Sequence, residues 1–308
     1  MLKIVVTEFM DAPAVDHLRT RGEVVYDPQL VDDPARLKAL AADCDALIVR
    51  NRTQVRGELL AALTRCRVVG RLGVGLDNID LAGCEEKGIQ VCPATGANAN
   101  SVAEYVIAAA MILLRGSYAS SDAVAAGQWP RDTLSQGREI AGKTLGLLGF
   151  GSIGQLTARL AQAVGMTVRA YDPALQPHAA IFGDTGVAAS DLDGLIAQSD
   201  VISLHMPLLD STRNFYDADR IRAMKRGAVL INTARGGIVD ERAVADALRS
   251  GHLGGAALDV FAQEPLLAAP HFKDCPNLIL TPHTAGLTYE SNQRVSSLVA
   301  EKVLAALG

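Results

Sequence analysis

Gly149-Phe150-Gly151-Ser152-Ile153-Gly154 is the stretch that decides the fold predicted for this chain. It follows a short apolar run, Thr144 to Leu148, which is typical of a buried strand, and it precedes helical spacing from Gln155 to Ala163. In a strand–turn–helix unit the three glycines allow a tight turn, close approach of the backbone to a pyrophosphate, and packing of the helix on the strand. The helix N-terminus would then bind phosphate through its free N–H groups and its dipole.

An acidic residue at the expected spacing supports this interpretation. A second strand, predicted from Met166 to Tyr171, ends in Asp172, which lies 18 residues after Gly154. An acid near that spacing binds the ribose hydroxyls of a dinucleotide. Because its charge would repel a 2′-phosphate, the sequence predicts NAD rather than NADP. The glycine pattern alone also occurs in purely structural turns, so the prediction depends on the strand, helix and acid occurring together.

Length and composition narrow the class of protein. The chain has 308 residues, which suggests about two domains, and 49% of them are hydrophobic. A net charge of −5 gives no basic footprint for nucleic acid or an anionic membrane. The longest apolar run, Val102 to Leu114, is interrupted by Glu104. The five cysteines contain no CxxC pair, so neither a disulfide framework nor a zinc site is implied. We expect a cytoplasmic protein with no metal, nucleic-acid or membrane partner.

Strand-like and helix-like segments alternate along the chain, which predicts an α/β fold with parallel βα units in two successive systems. Gly73-Val74-Gly75 resembles a second dinucleotide turn, but Asn78 stands where the third glycine would be. The amides of such a turn can instead hold a substrate carboxylate. The segment from Ser101 to Arg115 predicts a helix apolar on most faces, buried either in a core or against another subunit.

Three segments at the ends of predicted strands carry reactive side chains: Asn232 to Gly236, Asp259 to Pro265, and Thr281 to Gly286. The carboxyl ends of parallel strands line the ligand crevice of an open α/β sheet. One arginine, one glutamate and one histidine can therefore meet there, and this set suits hydride transfer between nicotinamide and a 2-hydroxy or 2-keto acid. A guanidinium binds a carboxylate through forked donors, and an imidazole held by a glutamate transfers a proton near neutral pH. Each residue alone also has an ordinary structural explanation.

These motifs, in this order, resemble the D-isomer-specific 2-hydroxyacid dehydrogenase family over nearly the whole chain, with spacing most similar to its 3-phosphoglycerate dehydrogenase branch. The segments that carry the resemblance are Arg71 to Asp80, Asn100 to Glu104, Gly142 to Gly154, Asn232 to Gly236, Asp259 to Pro265 and Pro282 to Gly286. The resemblance implies two doubly wound parallel-sheet domains, with a Rossmann NAD-binding domain at residues 98–286. That domain is inserted into a flavodoxin-like substrate domain, residues 1–97 and 287–308. No regulatory extension is expected beyond Gly308.

The resemblance also implies roles for individual residues. Arg235, Glu264 and His283 would be the catalytic set, and the backbone at Val74 and Gly75 would receive the substrate carboxylate. The subunits would pair as a homodimer through the NAD-binding domain, at the Ser101 to Arg115 helix. Besides the three glycines of the turn, the expected cofactor contacts are Ser152, Ile153, Asp172, Pro207, Thr233, Ala234, Asp259 and Gly286.

Arg50 and Arg52 follow a predicted strand and suggest a second anionic group on the substrate, as in 3-phosphoglycerate or 3-sulfolactate. The alternative for these side chains is simple exposure to solvent. The alternative enzymes are a glyoxylate/hydroxypyruvate or D-lactate reductase with the same machinery. An alternative of another class is a catalytically idle NAD-sensing protein, against which the intact arginine, glutamate and histidine argue.

Overall fold

Strands and helices alternate through the computed structural model, which describes residues 1–308. The first part of the chain contains β1 (Leu2–Val6), α1 (Ala12–Arg19), β2 (Gly22–Tyr26), α2 (Pro34–Ala41), β3 (Ala46–Val49), α3 (Gly57–Ala62), β4 (Val68–Arg71), α4 (Leu81–Glu86) and β5 (Gln90–Pro93).

The remainder begins with a long helix and ends with another. Its elements are α5 (Ala99–Arg115), α6 (Ser121–Ala125), α7 (Arg131–Leu134), β6 (Thr144–Leu148), α8 (Ser152–Ala163), β7 (Thr167–Tyr171), α9 (Ala180–Thr185), β8 (Ala188–Ala189), α10 (Leu192–Gln198), β9 (Val201–Leu204), α11 (Ala218–Ala223), β10 (Ala228–Asn232), α12 (Glu241–Arg249), β11 (Leu253–Leu258), β12 (Leu278–Leu280) and α13 (Tyr289–Leu307).

The chain divides into two compact units. The first combines Met1–Asn98 with Leu287–Gly308, and the second is Ala99–Gly286. The second unit is therefore inserted into the sequence of the first, whose last helix, α13, returns to pack beside β4 and α1.

The first unit is built on a five-stranded parallel sheet in the order β2-β1-β3-β4-β5. This 2-1-3-4-5 order is that of flavodoxin. Val299 and Val303 of α13 are fully buried against the same face as Ile4 and Ile48. Gly70 allows this close packing, because a Cβ there would lie 2.7 Å from the Val303 side chain. The carboxyl ends of β1, β3 and β4 therefore lie side by side at one edge of the sheet.

The second unit is built on a seven-stranded parallel sheet in the order β12-β11-β10-β9-β6-β7-β8. Numbered from β6, this is the 3-2-1-4-5-6 order of a Rossmann domain with one added strand. Helix α5 contributes Val106, Ala110 and Leu113 to the same buried cluster as the sheet. Its apolar composition is thus largely explained by its own core, while Met111 and Ile112 stay partly exposed. The two parallel-sheet α/β domains predicted from the sequence are confirmed.

No single helix combines the length and apolar character that a membrane span needs. The bent pair Ala99–Arg115 and Ser117–Ala125 satisfies length and composition only when joined across a 67° angle.

Candidate functional site

The glycine turn of the second unit joins β6 to α8. Gly149 has a φ of 93°, and a Cβ there would lie 2.6 Å from the His205 carbonyl oxygen. A Cβ on Gly154 would lie 2.5 Å from the Gly149 carbonyl oxygen, whereas a Cβ on Gly151 would meet nothing within 4 Å. Gly149 and Gly154 therefore allow close backbone contacts within the turn, whereas the space beside Gly151 is open.

The open side of this turn suits a pyrophosphate. Helix α8 is 12 residues long, and no side chain caps its N-terminus. Its first N–H groups therefore remain available for an anion, at the end of the helix where the dipole also favours one. Ser152 and Ile153 supply the first two residues of that helix.

Asp172 lies beside the same turn. It follows β7 directly, and its Oδ2 accepts a hydrogen bond from the Phe150 N–H at 2.8 Å. Its Oδ1 accepts from the Ala174 N–H at 2.9 Å. The carboxylate is thereby fixed next to the glycine turn, where an acid can meet the ribose of a dinucleotide bound on the helix N-terminus.

The loop after β10 carries Arg235. Asn232, at the end of the strand, is 1% exposed, and its side chain holds both sides of the loop. Its Nδ2 donates to the Arg235 carbonyl at 2.9 Å, and its Oδ1 accepts from the Ala234 N–H at 3.0 Å. Between them the Thr233 hydroxyl is buried without a hydrogen-bond partner. A buried polar atom is costly unless it is paired, so this hydroxyl fits a polar group of a bound cofactor.

His283 and Glu264 meet at the ends of β12 and β11. The imidazole Nδ1 lies 2.7 Å from Glu264 Oε2, and the other carboxylate oxygen of Glu264 accepts from the Phe261 N–H at 3.0 Å. His283 has a φ of 57°, in the left-handed region. With Nδ1 bound to the carboxylate, the ring's Nε2 is the nitrogen left for a substrate.

The surroundings of Glu264 keep it ionised. Burial by itself raises the pKa of this carboxyl. The hydrogen bonds from His283 and from the Phe261 N–H, together with the positive charges of His283 and Arg235, outweigh burial and leave the pKa below its ordinary value. A carboxylate at this position orients the imidazole ring of His283.

Asp259 shapes the loop that carries His283. It is buried, its Oδ1 accepts from the Thr281 hydroxyl at 2.6 Å and the Thr284 N–H at 2.8 Å, and its Oδ2 accepts from the Ala285 N–H at 2.9 Å. The Tyr105 hydroxyl lies 2.7 Å from the Thr281 hydroxyl and extends the network to α5. A residue expected to contact the cofactor therefore also fixes the backbone on both sides of His283.

Two further predicted cofactor residues, Pro207 and Gly286, also lie in loops of the second unit. Pro207 lies in the loop after β9, and its carbonyl accepts from the Thr212 hydroxyl at 2.7 Å. Gly286 follows Ala285 at the end of the His283 loop and is the last residue of the second unit.

The predicted substrate residues belong to the first unit. Val74 and Gly75 lie in the loop between β4 and α4 and are half-buried. Neither amide donates a hydrogen bond to another backbone carbonyl. Two adjacent N–H groups without a backbone partner are the arrangement a carboxylate requires.

The two arginines that follow β3 have different surroundings. The Arg50 guanidinium is partly buried, which lowers its pKa, and its Nη2 donates to Asn292 Oδ1 at 2.7 Å. Arg52 is exposed and pairs with Asp32 through both terminal nitrogens of its guanidinium: Nη1 donates to Oδ2 at 3.2 Å, and Nη2 donates to Oδ1. The sequence-based prediction treated the two arginines alike, whereas only Arg52 has a carboxylate partner of its own.

Comparison with known proteins now decides the family. Residues 107–285 match the model described as the D-isomer specific 2-hydroxyacid dehydrogenase NAD binding domain. The chain belongs to this family. It is 51% identical to the (S)-sulfolactate dehydrogenase of Chromohalobacter salexigens, over 100% of this chain and 99% of that one. It is 41% identical to the D-3-phosphoglycerate dehydrogenase of Mycobacterium leprae, over 90% of this chain but 52% of that protein.

A solved structure of a family member agrees over nearly the whole chain. D-Lactate dehydrogenase from Aquifex aeolicus, complexed with NAD and lactic acid, is 30% identical with a TM-score of 0.86, covering 99% of this chain and 95% of that one. The chain is an NAD-dependent dehydrogenase of 2-hydroxy acids, and NAD as the cofactor is confirmed. The glycine turn, the open N-terminus of α8 and the unpaired Thr233 hydroxyl all fit that cofactor.

Several residues of the site escaped the sequence-based prediction. Asn232, Thr281 and Tyr105 position the loops of Arg235 and His283 through side-chain hydrogen bonds. The available signal was a polar residue where an apolar strand ends: Asn232 is the last residue of β10, and Thr281 directly follows β12. Tyr105 lies inside an apolar helix, and no sequence pattern marks it as a residue of the site.

Proposed function

We propose that this enzyme interconverts a small 2-hydroxy acid of the 3-sulfolactate type and its 2-keto acid, with Arg235, Glu264 and His283 as the catalytic set. The observation that carries the catalytic assignment is the 2.7 Å contact between His283 Nδ1 and Glu264 Oε2. A histidine paired in this way, in the same unit as the glycine turn, is the proton-transfer group that hydride transfer to a keto acid requires.

Each of the three residues has a separate role in the proposed reaction. NAD, when bound, supplies the hydride acceptor or donor. His283 Nε2 donates a proton to the keto oxygen during reduction and accepts it back during oxidation. Glu264 holds the ring in one tautomer and balances its charge when it is protonated. Arg235 binds the carboxylate next to the reacting carbon and polarises the keto group.

The proposed cofactor contacts follow from the same geometry. The glycine turn and the first residues of α8 would bind the pyrophosphate, Asp172 the adenosine ribose, and Thr233 a polar group near the nicotinamide. The full proposed set is Gly149, Gly151, Ser152, Ile153, Gly154, Asp172, Pro207, Thr233, Ala234, Asp259 and Gly286.

The first unit supplies the proposed substrate contacts. The amides of Val74 and Gly75 suit the carboxylate, and the guanidinium of Arg50 suits a second anionic group. We include Arg52 as a second positive charge on the same loop. The 51% identity to a sulfolactate dehydrogenase over the full chain supports a sulfonate as that second group.

We also propose that the enzyme is a cytoplasmic homodimer. Met111 and Ile112 of α5 are partly exposed, and Tyr118, Val124 and Trp129 shortly after it are exposed apolar side chains of the same unit. Apolar side chains grouped near one helix are typical of a subunit contact. Five free cysteines suit a reducing compartment. Sedimentation equilibrium should give a mass near twice 32.4 kDa.

The deciding experiment is a panel of 2-keto acids tested with NADH: sulfopyruvate, 3-phosphohydroxypyruvate, hydroxypyruvate, glyoxylate and pyruvate. We expect the highest kcat/KM with sulfopyruvate. A higher kcat/KM with pyruvate or glyoxylate would contradict the second anionic group. Tight NADH binding without turnover of any member would instead indicate an NAD-sensing protein.

A further inference from the structure

The loop that presents Arg50 is fastened to a buried carboxylate at the end of β1. Glu8 is 4% exposed, and its carboxylate accepts hydrogen bonds from backbone amides. Its Oε1 accepts from the N–H of Arg50 at 2.9 Å and of Thr53 at 3.0 Å, and its Oε2 accepts from the N–H of Arg52 at 3.1 Å. One side chain therefore fixes three amides of a four-residue loop, so the starting position of the Arg50 side chain depends on Glu8.

The Arg50 side chain is itself held in one direction. Its Nη2 donates to Asn292 Oδ1 of α13 at 2.7 Å, and its guanidinium lies over the Phe9 ring, 5.6 Å from the centroid. A partly buried guanidinium with these contacts still has donors left, because it carries five N–H groups. The Arg50 guanidinium is therefore held in one position and offers one positive charge to an anion.

Charge is balanced around this loop. Arg52 is paired with Asp32, and the charge of Glu8 acts on both Arg50 and Arg52. Two guanidinium groups are thus accompanied by two carboxylates, and the formal charges cancel. A sulfonate carries one negative charge at neutral pH, whereas a phosphate monoester carries about 1.5 to 2. Because these four groups have no net charge, they oppose the more highly charged phosphate more strongly than the sulfonate, while Arg50 still offers N–H donors to either anion.

We propose that Glu8 is a specificity-determining positioning residue: it fixes the loop that presents Arg50 and, with Asp32, cancels the loop's excess positive charge, which favours a singly charged sulfonate over a phosphate. This inference rests on the proposed function, because it assumes that Arg50 meets the distal anionic group of the substrate.

The test compares sulfopyruvate, 3-phosphohydroxypyruvate and hydroxypyruvate, which has no distal charge, in steady-state kinetics. In Glu8→Gln we expect KM for sulfopyruvate to rise about tenfold with kcat nearly unchanged, and the ratio of phosphate to sulfonate kcat/KM to rise about fivefold. An equal loss with all three substrates would show that Glu8 is only structural and would overturn the proposal.

Asp32→Asn provides a second test that does not disturb the buried loop. It removes one negative charge at an exposed position and frees Arg52, so the phosphate-to-sulfonate ratio of kcat/KM should rise about threefold. The matched control is Asp43→Asn, which removes an exposed ion pair with Lys3 at the opposite end of the strands. The control should leave the ratio unchanged. An unchanged ratio in Asp32→Asn would overturn the charge-balance part of the proposal.

Arg50→Ala separates this proposal from the proposed function. We expect its kcat/KM to fall about 10- to 100-fold for sulfopyruvate and much less for hydroxypyruvate. If Arg50→Ala spares sulfopyruvate, the proposed substrate class is wrong. If it does not, but Glu8→Gln and Asp32→Asn leave the ratio unchanged, only the inference about Glu8 and Asp32 is wrong.

Discussion

Two buried asparagines, one in each unit, fasten loops in different ways. Asn232 binds both sides of its own loop, so the segment that carries Arg235 is fixed from within. Asn78 binds a different loop, because its Nδ2 donates to the carbonyls of Arg50 at 3.1 Å and Thr53 at 2.7 Å. The loop of Arg235 in the second unit is thus fixed from within, whereas Asn78 in the first unit fixes two loops relative to each other.

This difference corresponds to two kinds of task. In the proposed mechanism proton transfer needs one histidine in one orientation, and the contact with Glu264 and the network of Asp259 hold His283 in that way. Recognition of a substrate with two anionic ends needs a fixed separation between two binding points. Asn78 links the loop that contains Val74 and Gly75 to the loop that presents Arg50, so under the proposed function it would set that separation.

The largest effect is expected from removing the proton-transfer group. His283→Ala should lower kcat by about 10²- to 10⁴-fold with every 2-keto acid, the scale of lost general acid–base catalysis. Fluorescence titration should show that NADH still binds. His271→Ala is the matched control, because His271 lies 3.5 Å from Glu241 in the same unit and has no proposed role. A near-normal rate in His283→Ala would exclude His283 as the proton donor.

The two asparagines provide the next test, with effects of about tenfold. Asn232→Ala should lower kcat for all substrates alike, because the loop of Arg235 loses two hydrogen bonds of about 1 kcal/mol each. Asn78→Ala should raise KM for sulfopyruvate more than for hydroxypyruvate and change kcat little. Steady-state kinetics at matched NADH saturation measures both. The contrast between the units would be lost if both variants changed kcat and KM in the same proportion.

The smallest effect concerns pH. The pKa of Glu264 is lowered on folding, so its stabilising contribution is complete above its ordinary value of about 4.5 and is lost as pH falls through the lowered value. The Tm of the wild type should therefore exceed that of Glu264→Gln at pH 7 and pH 5, and the difference should shrink toward pH 3. Thermal melts at these pH values measure it. A gap that widened in acid would contradict the direction of the pKa shift.

Much of the fold was predictable from local patterns. The glycine turn, the strands on either side of it and the long apolar helix all carry periodic or conformational signals within a few residues. The predicted helix from Ser101 begins at Ala99 in the structure, and the one predicted from Gln155 begins at Ser152. The short helices α6, α7 and α9 were not predicted, since each has six residues or fewer and little apolar periodicity.

The positioning of the site was not predictable, for a different reason. Glu8 contacts residues more than 40 positions away, and Tyr105 meets Thr281 across 176 positions. Such partners are brought together by strand order, which a single sequence does not reveal. The pairing of Arg52 with Asp32 was not predictable for the same reason, although Arg50 and Arg52 were both predicted as substrate residues.

The left-handed backbone of His283 gives a practical means of stopping the enzyme without disturbing it. Few side chains tolerate this conformation, and asparagine is among those that do, alongside histidine and aspartate. His283→Asn would keep the loop's shape while removing the imidazole that transfers the proton. Such a variant would bind substrate and NADH together without turnover. The compound that stays bound to it would then identify the natural substrate.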